Sequence, residues 1–230
     1  MTVQEVARAL PAIESLKSLC RSLAMAEAIL NPDGERYFSF NSTWSETEEL
    51  ASMRNGSGDE YDIVFAPTGA YIRGFDHESP LTPYRHHDVP EPWPGVLDSV
   101  PKIFQHYVQE PAFVDEQGTP VVTVCLWREL EDDTWKAGEI AFPEGHEDPD
   151  GSNYLFELLL SPTPEAYHSF AEDYYERTID IEAVRDLYAL RPLDASLITR
   201  LNASASIKDA IEAAEEIGYP MADGRLPHTA

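Results

Sequence analysis

The chain has 230 residues, 43% of them hydrophobic, and carries 42 acidic against 16 basic side chains, a formal net charge of −26. So large an apolar fraction supplies a core and argues against a disordered chain. The charge argues against direct contact with a nucleic-acid backbone or an anionic membrane, because both recruit clustered lysine and arginine.

Along Val3 to Leu30, apolar residues such as Val6, Leu10, Ile13, Leu16, Leu23 and Leu30 recur at three- and four-residue steps, which predicts helix. Pro11 divides that segment, and Asn31-Pro32-Asp33-Gly34 ends it with turn chemistry. The period then becomes two. Tyr37 to Phe40 reads as a strand, and Leu50 to Met53 as either a second strand or the end of a short helix. Tyr61 to Phe65 and Ala70 to Phe75 read as a hairpin joined by Ala66-Pro67-Thr68-Gly69. Pro67 cannot adopt the positive φ of a primed two-residue turn, so a four-residue connection built on a type I turn is expected.

Five of the 18 prolines lie between Ser79 and Leu97, which predicts a long loop or an inter-lobe connection. A short helix is expected over Val100 to Val108, with Ile103, Phe104 and Tyr107 on one face. Thr119 to Glu129 reads as a buried strand that pairs with Thr134 to Ala137 across an acidic turn. Asn153 to Leu160 reads as another apolar run of strand length. Helices follow from Thr163-Pro164-Glu165, over Ile181 to Tyr188, and over Ile207 to Ile217, where Gly218 and Pro220 stop the last. The order predicts a single α+β domain. Its one mostly antiparallel sheet (36–160) is flanked by an N-terminal helical segment (1–30) and a C-terminal helical part (162–218), with a tail at 221–230.

No apolar run approaches the roughly 20 residues of a membrane span. The N-terminus lacks the basic and apolar regions of a signal peptide, since Glu5, Arg8 and Glu14 interrupt it. Cys20 and Cys125 both sit in apolar patterns and read as buried free thiols, so the expectation is a soluble, cytoplasmic protein.

If the hairpin has a simple register, opposite residues have numbers summing to about 135. Asp59, Glu60, Asp76, His77 and Glu78 then converge at one end of it, near Arg54 and Arg73. Carboxylate and imidazole together can hold a metal or act as an acid–base pair, although surface charge clusters are more commonly solvated or paired with arginine. His86-His87-Asp88 offers three further potential ligands, but adjacent histidines point different ways. Glu147, Asp148 and Asp150 before Gly151 lack the alternation and terminal glutamate of a calcium loop. No G-x-S-x-G, P-loop, G-x-G-x-x-G or H-E-x-x-H motif occurs, and no cofactor is expected. The acidity is densest at Glu129, Glu131, Asp132 and Asp133, and again from Glu144 through Glu147 and Asp148 to Asp150. Both stretches read as loops. Trp93, between Pro92 and Pro94, is a candidate exposed interface anchor.

The stretch from Met53 to Tyr84, with Arg54-Asn55-Gly56-Ser57-Gly58-Asp59-Glu60-Tyr61 and Gly74-Phe75-Asp76-His77-Glu78-Ser79-Pro80, resembles uncharacterised soluble bacterial proteins. The likeness continues through Trp93-Pro94-Gly95-Val96 and Ile217-Gly218-Tyr219-Pro220. In type, the chain is also similar to immunity proteins of secreted bacterial toxin systems, which implies a basic protein partner. The sequence reading is therefore an acidic binding protein that occludes a basic partner, a toxin domain above all. Its acidic loops and hairpin end would steer the encounter. The rival reading is a metal-assisted hydrolase using Asp59, Asp76, His77 and Glu78. A nucleic-acid mimic is a third, and a merely solubilising charge is the plain alternative.

Overall fold

Six strands hydrogen-bond in the order in which they occur along the chain, every neighbouring pair antiparallel. They are β1 (Phe38–Asn41), β2 (Glu49–Arg54), β3 (Glu60–Ala66), β4 (Gly69–Phe75), β5 (Val124–Glu129) and β6 (Lys136–Ala137). The computed structural model describes residues 1–85 and 89–222. His86-His87-Asp88 and all but the first two residues of the expected tail lie outside the described residues.

The alternation of side chains across the pleat gives the sheet two buried faces. Ala51, Met53, Tyr61, Ile63, Phe65, Ile72, Val124 and Leu126 face the helices. Those helices are α1 (Val3–Ala9) and α2 (Ile13–Leu30) from the N-terminus, then α6 (Pro164–Tyr175), α7 (Ile181–Tyr188), α8 (Ala195–Leu201) and α9 (Ile207–Ile217). Val64, Tyr71, Cys125 and Trp127 face the other way, onto Leu81, Val96, Val100, Phe104, Tyr107, Phe113 and Val122. The proline-rich segment therefore forms the second covering layer. Fixed φ and missing donors keep it irregular, and its side chains still close the core. The fold is α+β, with helical segments before and after one antiparallel sheet. No helix among the described residues is long and apolar enough to cross a membrane.

Several local expectations need correction. Asn153 to Leu160 is helical, as α4 (Ser152–Leu155) and α5 (Glu157–Leu160). The Asp148 carboxylate accepts the Asn153 and Tyr154 amides at 3.1 and 2.9 Å, which starts a helical turn, and the run has no β-branched residue to favour a strand. The buried strand starts at Val124; before it Pro120 bridges Val114 and Val121 donates its amide to the Phe113 carbonyl, so the chain there pairs with the segment ahead of it. Over Val100 to Val108 only α3 (Gln105–Val108) is helical; Phe104 and Tyr107 are buried, but Ile103 is 40% exposed. Leu50 to Met53 lies in β2. The hairpin connection is two residues, Pro67 and Thr68, because Ala66 pairs with Gly69. Pro67 and Thr68 keep negative φ while Gly69 takes +140°, so the turn closes without primed geometry at its centre. A Cβ at Gly69 would collide with the Arg128 carbonyl.

One acid is buried in the helical layer. Glu27 of α2 is fully enclosed, and its carboxylate accepts the hydroxyls of Tyr167 (2.8 Å) and Tyr175 (2.7 Å) and the Tyr37 amide (3.0 Å). Burial pushes its pKa above the ordinary 4.5, and the hydrogen bonds only partly offset this. A carboxyl with a raised folded pKa favours folding below its unfolded pKa and loses that contribution as pH rises toward the folded value. Glu27→Gln is therefore expected to gain stability relative to the unmodified chain as pH rises from about 4 to about 7. Urea unfolding across that range checks it, and a difference that falls with pH would contradict the burial argument.

Candidate functional site

The hairpin register is the simple one, with Glu60 opposite Phe75 and Asp62 opposite Arg73. It brings the predicted charges to one end of the sheet, but the pleat then splits them into two groups. Glu60, Asp62, Arg54 and Arg73 lie on the face covered by the proline-rich layer. Arg73 is 2% exposed and Asp62 1%, and the two pair directly. Arg73 also reaches Glu60 at 2.5 Å and the Val121 carbonyl at 3.0 Å, with its guanidinium 4.9 Å from the centre of the Phe113 ring. Arg54 forks onto both Asp62 oxygens at 2.9 Å and meets Glu60 at 2.9 Å. Ser52 donates its hydroxyl to Asp62 at 2.5 Å. Two cations thus meet two carboxylates, so Glu60 is neutralised within the chain rather than offered outward. Burial favours a neutral Arg73, yet the adjacent carboxylates keep its pKa raised. Asp62, which anchors this network, was not singled out from the sequence. Its period-two place beside the buried Arg73 was the available signal.

Asp59, Asp76 and His77 form the second group, just beyond the strand ends. The loop from Asn55 to Gly58 turns through positive φ at Gly56 and Gly58, and the Asn55 side-chain oxygen accepts the Ser57 and Asp59 amides at 2.8 and 3.1 Å. That fixes Asp59, which is 6% exposed. Its Oδ1 accepts the His77 amide at 3.0 Å and lies 2.6 Å from His77 Nδ1, while Oδ2 accepts Asn55 Nδ2 at 2.7 Å. Asn55 also donates to the Tyr154 hydroxyl at 3.0 Å. Asp76 is half-buried against Gly151, whose φ is +74°; any Cβ there would strike Asp76. Glu78 points outward, and only its backbone amide joins the group, donating to Asp76 Oδ1 at 2.8 Å. One ligand atom from each of Asp59, Asp76 and His77 falls within 4.8 Å of the others, so this trio could hold a divalent cation. The clefts described below have none of these three residues in their walls.

The acidic loops divide in the same way. Glu131, Asp133, Glu144 and Glu147 are exposed, and Glu129 is half-buried at the end of β5. Asp132 pairs with Lys136 at 2.6 Å and accepts the Glu129 amide at 3.1 Å. Asp148 starts α4, and Asp150 is fully buried, accepting the amides of Val3 (2.8 Å) and Ser152 (3.0 Å). Asp150 therefore ties the N-terminus to the loop and presents no charge to a partner. Trp93 is half-buried against the second core and donates its indole N–H to the Ala141 carbonyl at 3.2 Å, because the prolines beside it fold the segment down onto the sheet. It is not a freely exposed anchor. Cys20 and Cys125 are buried free thiols, and burial pushes the pKa of Cys125 up to about 12, the reverse of a nucleophile's.

The sequence reading missed an aromatic cleft. Phe170 and Tyr174 form one stripe of α6 but leave part of it uncovered, beside Tyr37 and Tyr154. No protein-family model matches the chain, and no curated protein or solved structure matches it.

Two predictions follow from the geometry at the hairpin end. Removing one partner of a buried ion pair strands the others, so Arg73→Met is expected to cost about 3–5 kcal/mol in urea unfolding. Arg73→Met with Asp62→Leu should cost less than the sum of the single changes, and simple additivity would refute the coupling. At the second group, the hydrogen bond to Asp59 raises the His77 pKa above 6.5. Burial pushes Asp59 up, but hydrogen bonds from the His77 amide and ring outweigh it and hold the carboxyl below its ordinary 3.8. The His77 contribution is complete below 6.5 and fades as pH rises through the folded pKa, whereas the Asp59 contribution fades as pH falls below 3.8. Asp59→Asn should therefore return the His77 NMR titration toward 6.5 and destabilise more near pH 5 than near pH 8. An unchanged titration would show that the pair does not form in solution.

Proposed function

We propose that the chain is an acidic binding protein that neutralises a basic protein partner by covering its cationic surface, as an immunity protein does for a toxin domain. One observation carries this reading: the chain's own cations are largely used internally, and its surplus acids are not. Lys17 and Arg21 pair with Glu49, Arg54 and Arg73 with Glu60 and Asp62, and Arg185 with Glu165 and Glu182. Arg200 pairs with Asp180 and Asp186. With 42 acids to 16 bases, carboxylates far outnumber the chain's own cations, and many of them, including Glu131, Asp133, Glu144 and Glu147, face solvent. A surface of that sign accelerates encounter with a basic protein and repels acidic ones. Enzymes that act on nucleic acids carry cationic clefts for their substrate, so they suit such an inhibitor.

The second reading, a metal-assisted hydrolase, draws on the convergence of Asp59, Asp76 and His77. It would require the cation to displace the Asp59–His77 hydrogen bond, and Glu78 would act from outside the trio. Isolation from source cells at low salt, with metal analysis of the same sample, separates the two. The binding reading expects a stoichiometric basic protein that leaves as salt rises. About one divalent metal per chain and no basic partner would overturn it in favour of the hydrolase.

A further inference from the structure

Between α5 and α6 lies a cleft of about 570 Å³ whose walls include Glu157, Leu158, Phe170, Asp173 and Tyr174. A smaller hollow shares Glu157, Leu158 and Phe170 with it and extends the surface to Tyr37 and Tyr154. Tyr154 and Tyr174 are 49% and 48% exposed, unusual for large rings not committed to the core. The rings are nonetheless held in place. Phe170 and Tyr174 stack with centroids 5.5 Å apart and planes at 15°, and Tyr37 meets them edge-on at 4.9 and 5.3 Å. Asn55 holds the Tyr154 hydroxyl. Beside the rings, Glu157 and Asp173 are exposed, and neither carboxylate has a hydrogen bond or ion pair among the described residues.

We infer that this aromatic and acidic cleft is where arginine or lysine side chains of the basic partner dock, an inference that rests on the binding reading above. Charge complementarity selects the occupant. An apolar segment would strip water from Glu157 and Asp173 without pairing them, and an acidic segment would be repelled. A guanidinium lies over an aromatic ring while its donors reach a neighbouring carboxylate, and this cleft supplies both at once. The acidic loops at 129–133 and 144–150 supply charge, but no Phe, Tyr or Trp lies in either stretch. Pre-set rings lose little side-chain freedom on binding, which suits them to be the energetic centre of an interface steered from further off.

The test is calorimetric titration of the full chain with a short arginine-rich peptide, together with amide shift mapping. Tyr174→Ala is expected to weaken binding about tenfold, and Tyr174→Phe to restore most of it, because the ring and not the hydroxyl is the contact. Glu157→Gln with Asp173→Asn should weaken binding about tenfold. Glu144→Gln with Glu147→Gln removes the same formal charge elsewhere and should cost about twofold or less. Shifts should centre on Tyr154, Phe170 and Tyr174, a readout that needs no variant to fold. Equal losses from the two double neutralisations, with none from Tyr174→Ala, would overturn the cleft and leave the acidic-surface reading standing. Shifts scattered over 129–133 and 144–150, or no peptide binding, would also overturn the cleft. None of these outcomes touches the binding reading itself, which falls if source cells yield no basic partner.

Discussion

The buried guanidinium of Arg73 is the constraint around which the hairpin end is arranged. A cation that is 2% exposed is tolerable only with its charge met locally, so Asp62 and Glu60 must stand on the same face of the sheet. That demand fixes the β3–β4 register, since a one-residue slip would send both acids to the apolar face that packs on the helices. The same register sets Asp59 and Asp76 one residue beyond the last pair and His77 one residue further, where its amide and ring both meet Asp59 Oδ1. Phe113 lies against the guanidinium, so the proline-rich layer is held in part by the same cation.

That economy of cations has a consequence at the surface. A chain with so few lysines and arginines uses them where burial or strand packing makes them valuable, as at Arg73, or in clusters such as Arg185 and Arg200 between the C-terminal helices. The remaining carboxylates repel one another and are stable only because water and salt screen them. A basic protein replaces that screening with direct pairing, which is the physical basis of the proposed function. A merely solubilising charge would need no aromatic platform beside it, and the Tyr37, Phe170 and Tyr174 rings form one next to Glu157 and Asp173, which have no ion pair among the described residues.

Much of the fold was legible because its signals are local. The helical period of 13–30, broken from its neighbour by Pro11, and the hairpin at 60–75 follow directly from residue order. The α8 helix escaped although Asp194 precedes Leu197, Ile198 and Leu201 at helical spacing, because a seven-residue segment carries little periodicity. Asn153 to Leu160 misled, since an apolar run of that length suits a strand or a buried helix equally, and only the Asp148 and Gly151 geometry decides. At the site, convergence of Asp59, Asp76 and His77 was readable from register. The diversion of Glu60 to Arg54 and Arg73, and the burial of Asp150, depend on which face of the sheet and which end of the chain pack nearby. The aromatic cleft was hidden because Tyr37, Tyr154 and Tyr174 come from three distant segments, and a stripe of rings on a helix reads as core.

The central claim is that a basic protein meets this acidic surface. It is tested most directly by measuring the affinity of the co-purifying basic protein for the intact chain over a salt series. The account predicts a dissociation constant that rises steeply with ionic strength, while apolar and aromatic contact preserves some residual binding. An affinity indifferent to salt would contradict it.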